Sequence, residues 1–183
     1  MPATFISVDI ETSGPSPSRH SLLAIGACSV DDPDRTFYVE LQPDGAETDP
    51  EAVAISGLSM ERLAAEGAEP REAMVRFAEW VESGAGPDCA PLLVALNAPF
   101  DWMFVADYFH RYVGRNPFGH SALDMKALYM GLAGVAWADA TLRTMAARYG
   151  LTAKLPHHAL EDAVIQANVF RRILAEHRAA AIE

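Results

Sequence analysis

The chain has 183 residues, 50% of them hydrophobic and 21% charged, enough to bury a full core and too apolar for a disordered tail. No apolar run approaches the roughly 20 residues of a membrane span, and the start MPATFISVD has no basic-then-apolar leader, so a soluble cytoplasmic protein is expected. The net charge of −11 argues against broad duplex binding, which needs a basic surface.

That charge is uneven. Residues 31–88 hold fifteen acids and four bases, which is the whole surplus, and the remainder is neutral. Two acid-free windows, Tyr108–Leu123 and Ala140–Leu160, carry Arg111, Arg115, Arg143, Arg148 and Lys154. The surplus reads as a solubilising surface. Cys28 and Cys89 are too few for a disulfide framework and lack metal-ligand spacing, so both are expected as reduced thiols.

The first element is Phe5–Gly14, FISVDIETSG, an apolar strand ending in two carboxylates. Alternation puts Phe5, Ser7, Asp9 and Glu11 on one face and Ile6, Val8 and Ile10 on the other. Two acids spaced about 7 Å apart at the end of such a strand need a cation or a hydrogen-bond network. A turn over Gly14–His20 leads to a second strand, Leu22–Val30, and the turn Asp31–Asp34 to a third, Thr36–Leu41. Short connections favour an antiparallel meander.

Asp49–Gly67 reads as short helical pieces, with Ser59 capping the turn Met60–Ala65. Pro70 opens an amphipathic helix to about Ser83, with Ala73, Met74, Phe77, Trp80 and Val81 as its core stripe. Gly84–Pro91 is expected to be a mobile loop. The apolar run Leu92–Leu96 fits a central strand buried on both faces. Asn97 and Pro99 then start a helix to Tyr112, with Asp101 in its first turn. A short strand at Ser121–Leu123 precedes helices over Asp124–Leu132 and Ala140–Tyr149, the latter stopped by Gly150. The last helix, His158–Arg178, buries Ala159, Ala163, Ala167, Phe170 and Leu174. Residues 1–183 are therefore expected to form one mixed α/β domain, a central sheet covered by helices.

Four acids lie where acids are unfavourable: Asp9, Glu11, Asp101 and Asp162, the last in the apolar stretch HHALEDAVIQANVF. Singly, Asp101 is also accounted for by a helix N-terminus, and Asp162 by a solvated position beside Glu161. Asp9, between Val8 and Ile10, needs a partner that no nearby Lys or Arg supplies. Together the four suit Mg²⁺ or Mn²⁺ better than Zn²⁺, and two such ions assist in-line phosphoryl displacement. Of the six histidines, His157 and His158 sit just ahead of the helix carrying Asp162. His158 would stack over Asp162 at i,i+4 spacing, whereas His157, beside Pro156, is freer to reach an attacking water.

VDIETSG (Val8–Gly14), NAPFD (Asn97–Asp101) and HHALEDA (His157–Ala163), in this order, resemble the three motifs of the DEDDh 3′-to-5′ exonucleases. AISGLS (Ala54–Ser59) and Leu123-Asp124 resemble weaker landmarks of that family. The resemblance implies a ribonuclease H-like α/β fold with a five-stranded mixed sheet. It implies Asp9, Glu11, Asp101 and Asp162 as ligands for two divalent cations, and, through the H-x4-D spacing, His157 as general base. It also places the terminal nucleotide on the backbone of Glu11–Gly14, its sugar near Thr12 and its base near Leu58 and Phe100, although both of these also fit ordinary core. Leu96 stands where many relatives have His, a position without a catalytic role. The implied activity is release of nucleoside 5′-monophosphates from single-stranded DNA or RNA 3′ ends. An RNA-trimming or short-oligonucleotide nuclease, a non-catalytic polymerase-associated module and a small-molecule phosphatase are the competing readings, and a polymerase or homodimer partner is left open.

Overall fold

The computed structural model describes residues 3–86 and 88–180. Three consecutive strands, β1 (Ala3–Thr12), β2 (Leu22–Ser29) and β3 (Thr36–Glu40), form the expected antiparallel meander. Two more, β4 (Ala90–Ala95) and β5 (Ala122–Asp124), add in parallel on the other side of β1, giving the order β3-β2-β1-β4-β5. The centre of the sheet is therefore β1. The run expected to be central, Leu92–Leu96, is the inner part of β4, one place off centre. Only Leu93–Ala95 of it are fully buried, and Leu96 lies past the strand end. The strand buried along its whole length is β2.

Helices cover both faces. The side chains of Ile6, Val8 and Ile10 pack with Ala73, Met74 and Phe77 of α3 (Pro70–Ser83) and with Phe104 and Val105 of α4 (Ala98–Tyr108). Trp80 borders this core, so the aromatic stripe of α3 is structural, as its spacing predicts. The opposite face takes α5 (Met125–Ala133), α6 (Leu142–Arg148) and α7 (Ala159–Ala180), with Cys28, Val94, Ala167 and Phe170 at its centre. The five residues expected as the buried stripe of α7 are all buried. Two short helices, α1 (Pro50–Ser56) and α2 (Met60–Glu66), are capped by Asp49 and by the predicted Ser59.

The helix expected from Pro99 to Tyr112 changes pitch. Beyond Tyr108 a π turn, Phe109–Val113, closes with the N–H of Gly114 on the carbonyl of Phe109 at 3.0 Å. The wider turn keeps Phe109 stacked on Phe77 at 5.4 Å, while Arg111 and Tyr112 reach the Asp44 carboxylate, which also accepts from Tyr108. Tertiary packing sets this, and local spacing does not show it. The expected mobile loop gives way to β4 at Ala90, and part of it, Pro87, lies outside the described residues. Cys28 is buried and Cys89 half-buried, both unpaired.

Candidate active site

The site forms where β1 outruns its neighbour. Pairing with β4 covers Ala3–Ser7, so the later residues of β1 project past β4 beside the start of α4. Pairing with β2 slips between Glu11 and Thr12, a bulge at the end of the carboxylate pair. Alternation along β1 places Asp9 and Glu11 on the face covered by α7, the same face as Phe5, whose ring meets Phe170 edge-on at 5.4 Å.

α7 is seated unusually close to the sheet. A Cβ on Gly26, which pairs with Asp9, would lie 2.1 Å from the carbonyl carbon of Ala159, the first residue of α7. That glycine lets the helix start directly over β2 and delivers Asp162 to Asp9 and Glu11. One ligand oxygen from each of these three carboxylates lies within 4.8 Å of the others. Asp101, at 6% exposure in the first turn of α4, stands outside this group of three but close enough for its charge to act on Asp9. The four predicted acids thus converge.

Burial, and then the charges of Asp101, Asp162 and Glu11, hold the Asp9 carboxyl well above the usual carboxylate range. Glu11 is pushed up to about 7 by burial and by Asp162. Asp101 rises to about 8, with burial outweighing the backbone N–H groups of its own residue and of Ile10. Burial also raises Asp162, opposed by the nearby charge of His157 and by the backbone of His157 and His158. Among the described residues, no Lys or Arg pairs with any of the four. Oδ1 of Asp162 is buried without a hydrogen-bond partner. An all-oxygen set of crowded carboxylates, one with an orphaned oxygen, fits a hard divalent cation.

The two histidines separate. His158 stacks on Tyr38 at 4.8 Å, and its Nδ1 accepts from the N–H of Glu161 at 3.5 Å, at the start of α7. His157 is exposed, with φ 59, a left-handed conformation uncommon outside glycine. Its backbone bonds the Asp162 carboxylate, while its ring makes no hydrogen bond among those described.

The nucleotide-contact candidates are mixed. Thr12 is buried, and its Oγ1 donates to the carbonyl of Gly14 at 2.9 Å, fixing the turn. A Cβ on Gly14 would fall 2.2 Å from the His20 ring, so this position takes only glycine. Leu58 is half-buried and belongs to neither core cluster, whereas Phe100 packs partly into the core against Phe104.

One residue of the site escapes a reading of the sequence, and a second, Asp124, shows there only as part of the Leu123-Asp124 landmark. Gln166, 1% exposed, accepts from the N–H of Leu96 at 2.8 Å, which leaves its amide N–H to donate to Oδ1 of Asp9 at 2.6 Å. Its position four residues after Asp162, on the same helix face, is the signal that points to it. Asp124 accepts from Ala98 N–H at 2.6 Å and from Ala127 N–H at 2.7 Å, so one carboxylate caps both α4 and α5. Asn97, expected at the head of α4, makes no cap and instead turns the chain with φ 62.

A mixed five-stranded sheet flanked by helices, with an acidic centre at the end of its middle strand, defines the ribonuclease H-like class of α/β fold. Residues 6–170 match the exonuclease family RNase_T. The chain belongs to this family, and its enzyme class is that of the 3′-to-5′ exonucleases. It is 42% identical over 169 residues to the 3′-5′ DNA exonuclease Cap18 of Escherichia coli, covering 92% of this chain and 90% of that one. The nuclease domain of 3′hExo, a DEDDh family member solved with rAMP, superposes with a TM-score of 0.75 at 14% identity, over 94% of this chain and 92% of that one. E. coli exonuclease I, solved with a dT13 oligonucleotide, gives 0.69 at 19% identity, over 93% of this chain and 41% of that one.

Proposed function

We propose that the protein, acting through residues 1–183 as one exonuclease domain, removes nucleotides from the 3′ end of single-stranded DNA as nucleoside 5′-monophosphates. The observation that carries this is the convergence of Asp9, Glu11 and Asp162, with Asp101 beside them, next to an exposed histidine. DNA is preferred because the relative at 42% identity is a DNA exonuclease. The four acids would hold two divalent cations, Mg²⁺ or Mn²⁺. When bound, such ions supply charge stabilisation for the attacking and leaving oxygens of an in-line displacement.

The chain's own groups do the rest. His157 takes the proton of the attacking water on its imidazole, which makes no hydrogen bond of its own among those described. Gln166 holds Oδ1 of Asp9, which fixes the orientation of that carboxylate. The turn closed by Thr12 and Gly14 seats the terminal nucleotide on the backbone from Glu11, and Leu58 and Phe100 flank its base. Two unpaired cysteines suit a reducing cytoplasm.

The test is digestion of 3′- and 5′-labelled single-stranded DNA, duplex DNA and RNA with Mg²⁺, Mn²⁺ or EDTA. Stepwise 3′ shortening of single-stranded DNA that EDTA abolishes is expected. Faster loss of RNA would overturn the DNA preference, and absence of cleavage of every polymer would overturn the enzymatic reading of these residues.

A further inference from the structure

Two depressions open along one side of α7. One, of about 590 Å³, is walled by Lys154, His157 and Glu161. The other, of about 480 Å³, is walled by Asn168, Arg171 and Arg172. Ile165 lines both, so the two are neighbours on this side of the helix, the second lying farther from His157.

The described lining of this groove is basic, whereas the chain as a whole is acidic. Six arginines of the described residues, Arg19, Arg62, Arg76, Arg111, Arg115 and Arg148, are each held by an acid. Lys154 and Arg172 are exposed and enter no such pair among the described residues, nor do Arg71, Lys126, Arg143 and Arg178, which lie outside the groove lining. Arg171 is tied to the carbonyl of Val30 and to Asn168, and its Nη2 is buried without a partner. Glu161 is the one acid in the lining among the described residues. In a chain of net charge −11, the described lining that starts at the candidate base thus carries three bases against one acid.

We propose that this groove carries the phosphodiester backbone of single-stranded DNA beyond the scissile bond, with Lys154 and Arg172 each facing a phosphate. The proposal rests on the exonuclease reading of the site. From Glu161 to Arg172 the helix rises roughly 16 Å, which spans several phosphates at the roughly 3.4 Å spacing of a stacked strand. No Phe, Tyr or Trp lines the groove among the described residues, so bases find no stacking platform there. Binding is then carried by phosphate charge, tolerant of sequence and dependent on salt, the two contacts contributing a slope of about 1.4.

The experiment is fluorescence anisotropy of fluorescein-labelled oligothymidylates, one long and one a dinucleotide, titrated with protein in EDTA over a range of salt. Wild type is expected to bind the long strand more tightly. Lys154→Ala and Arg172→Ala each weaken long-strand binding several-fold and reduce the slope of log K against log salt by about 0.7. Arg71→Ala removes the same charge from α3, on the opposite face of the sheet, and keeps the wild-type slope. Wild-type slopes in both groove variants, or an equal loss in Arg71→Ala, would overturn the proposal. Binding is read without metal or cleavage, so a protein that binds this way but cleaves nothing contradicts the catalytic reading alone.

Discussion

Asp9 shows how much one side chain depends on its neighbours. It sits between two other carboxylates and one amide, and only the amide is a donor. Gln166 orients that amide through Leu96, so a residue with the same volume and no polar atoms loses two hydrogen bonds and strands a backbone N–H. Gln166→Met is expected to lower stability by about 1–3 kcal/mol and cation affinity roughly 10–100-fold, measured by urea unfolding and by calorimetric Mn²⁺ titration. Unchanged cation affinity would reduce Gln166 to a core contact. The histidine pair makes a second contrast at this scale. His157→Ala should lower kcat by roughly 10²–10⁴-fold with the melting temperature kept, because the side chain is exposed. His158→Ala should do the reverse, losing the Tyr38 stack and keeping most turnover. Comparable kcat loss in both would remove the basis for choosing His157.

At the scale of elements, the site is an assembly of ends. The C-terminal end of β1, the N-terminal turns of α4 and α7, and the loop ahead of α7 each bring a group. Their fit depends on close backbone approach at Gly26. Gly26→Ala inserts a methyl where the backbone of Ala159 and Leu160 already lies, so α7 must lift. The expected cost is about 1–3 kcal/mol, accompanied by loss of activity because Asp162 moves with the helix. Circular dichroism melting and kcat check this together, and a fully active, equally stable variant would contradict the packing argument. Asp124 has a similar structural weight, since its two oxygens tie α4 to β5 and α5.

For the whole molecule, the acids set the dependence of stability on pH. Glu11 titrates near 7 and Asp101 near 8 in the fold, against ordinary values of 4.5 and 3.8. Between those limits the folded state holds protons that the unfolded chain has released, so the stability tied to them is complete at low pH and is lost as pH rises through about 7 and about 8. Asp9 and Asp162 act in the same direction. Glu176, held at about 2 by Arg148 and Tyr149, acts in the opposite sense and only below the usual carboxylate range. The metal-free protein should therefore melt lower at pH 8 than at pH 5, roughly, and Mg²⁺ or Mn²⁺ should restore most of the difference at the higher pH. Thermal melts with EDTA or added cation test this, and a flat metal-free profile would contradict it.

The strands, most helices and the positions of the four converging acids were legible in the sequence, because their signals are local. Alternation in FISVDIET, the proline at the head of α3 and the spacing from His157 to Asp162 each lie within a few residues. The antiparallel meander followed from connections too short for anything else. Tertiary structure alone decided that β1 is the centre of the sheet, that helix α4 widens into a π turn over Phe77, and that Asn97 turns the chain while Asp124 caps the helix. It alone brought Gln166 to Asp9, across 157 positions of sequence. These are decided by which surfaces meet, through close packing at Gly26 and the need to satisfy every buried donor, and neither quantity has a period that a linear chain displays.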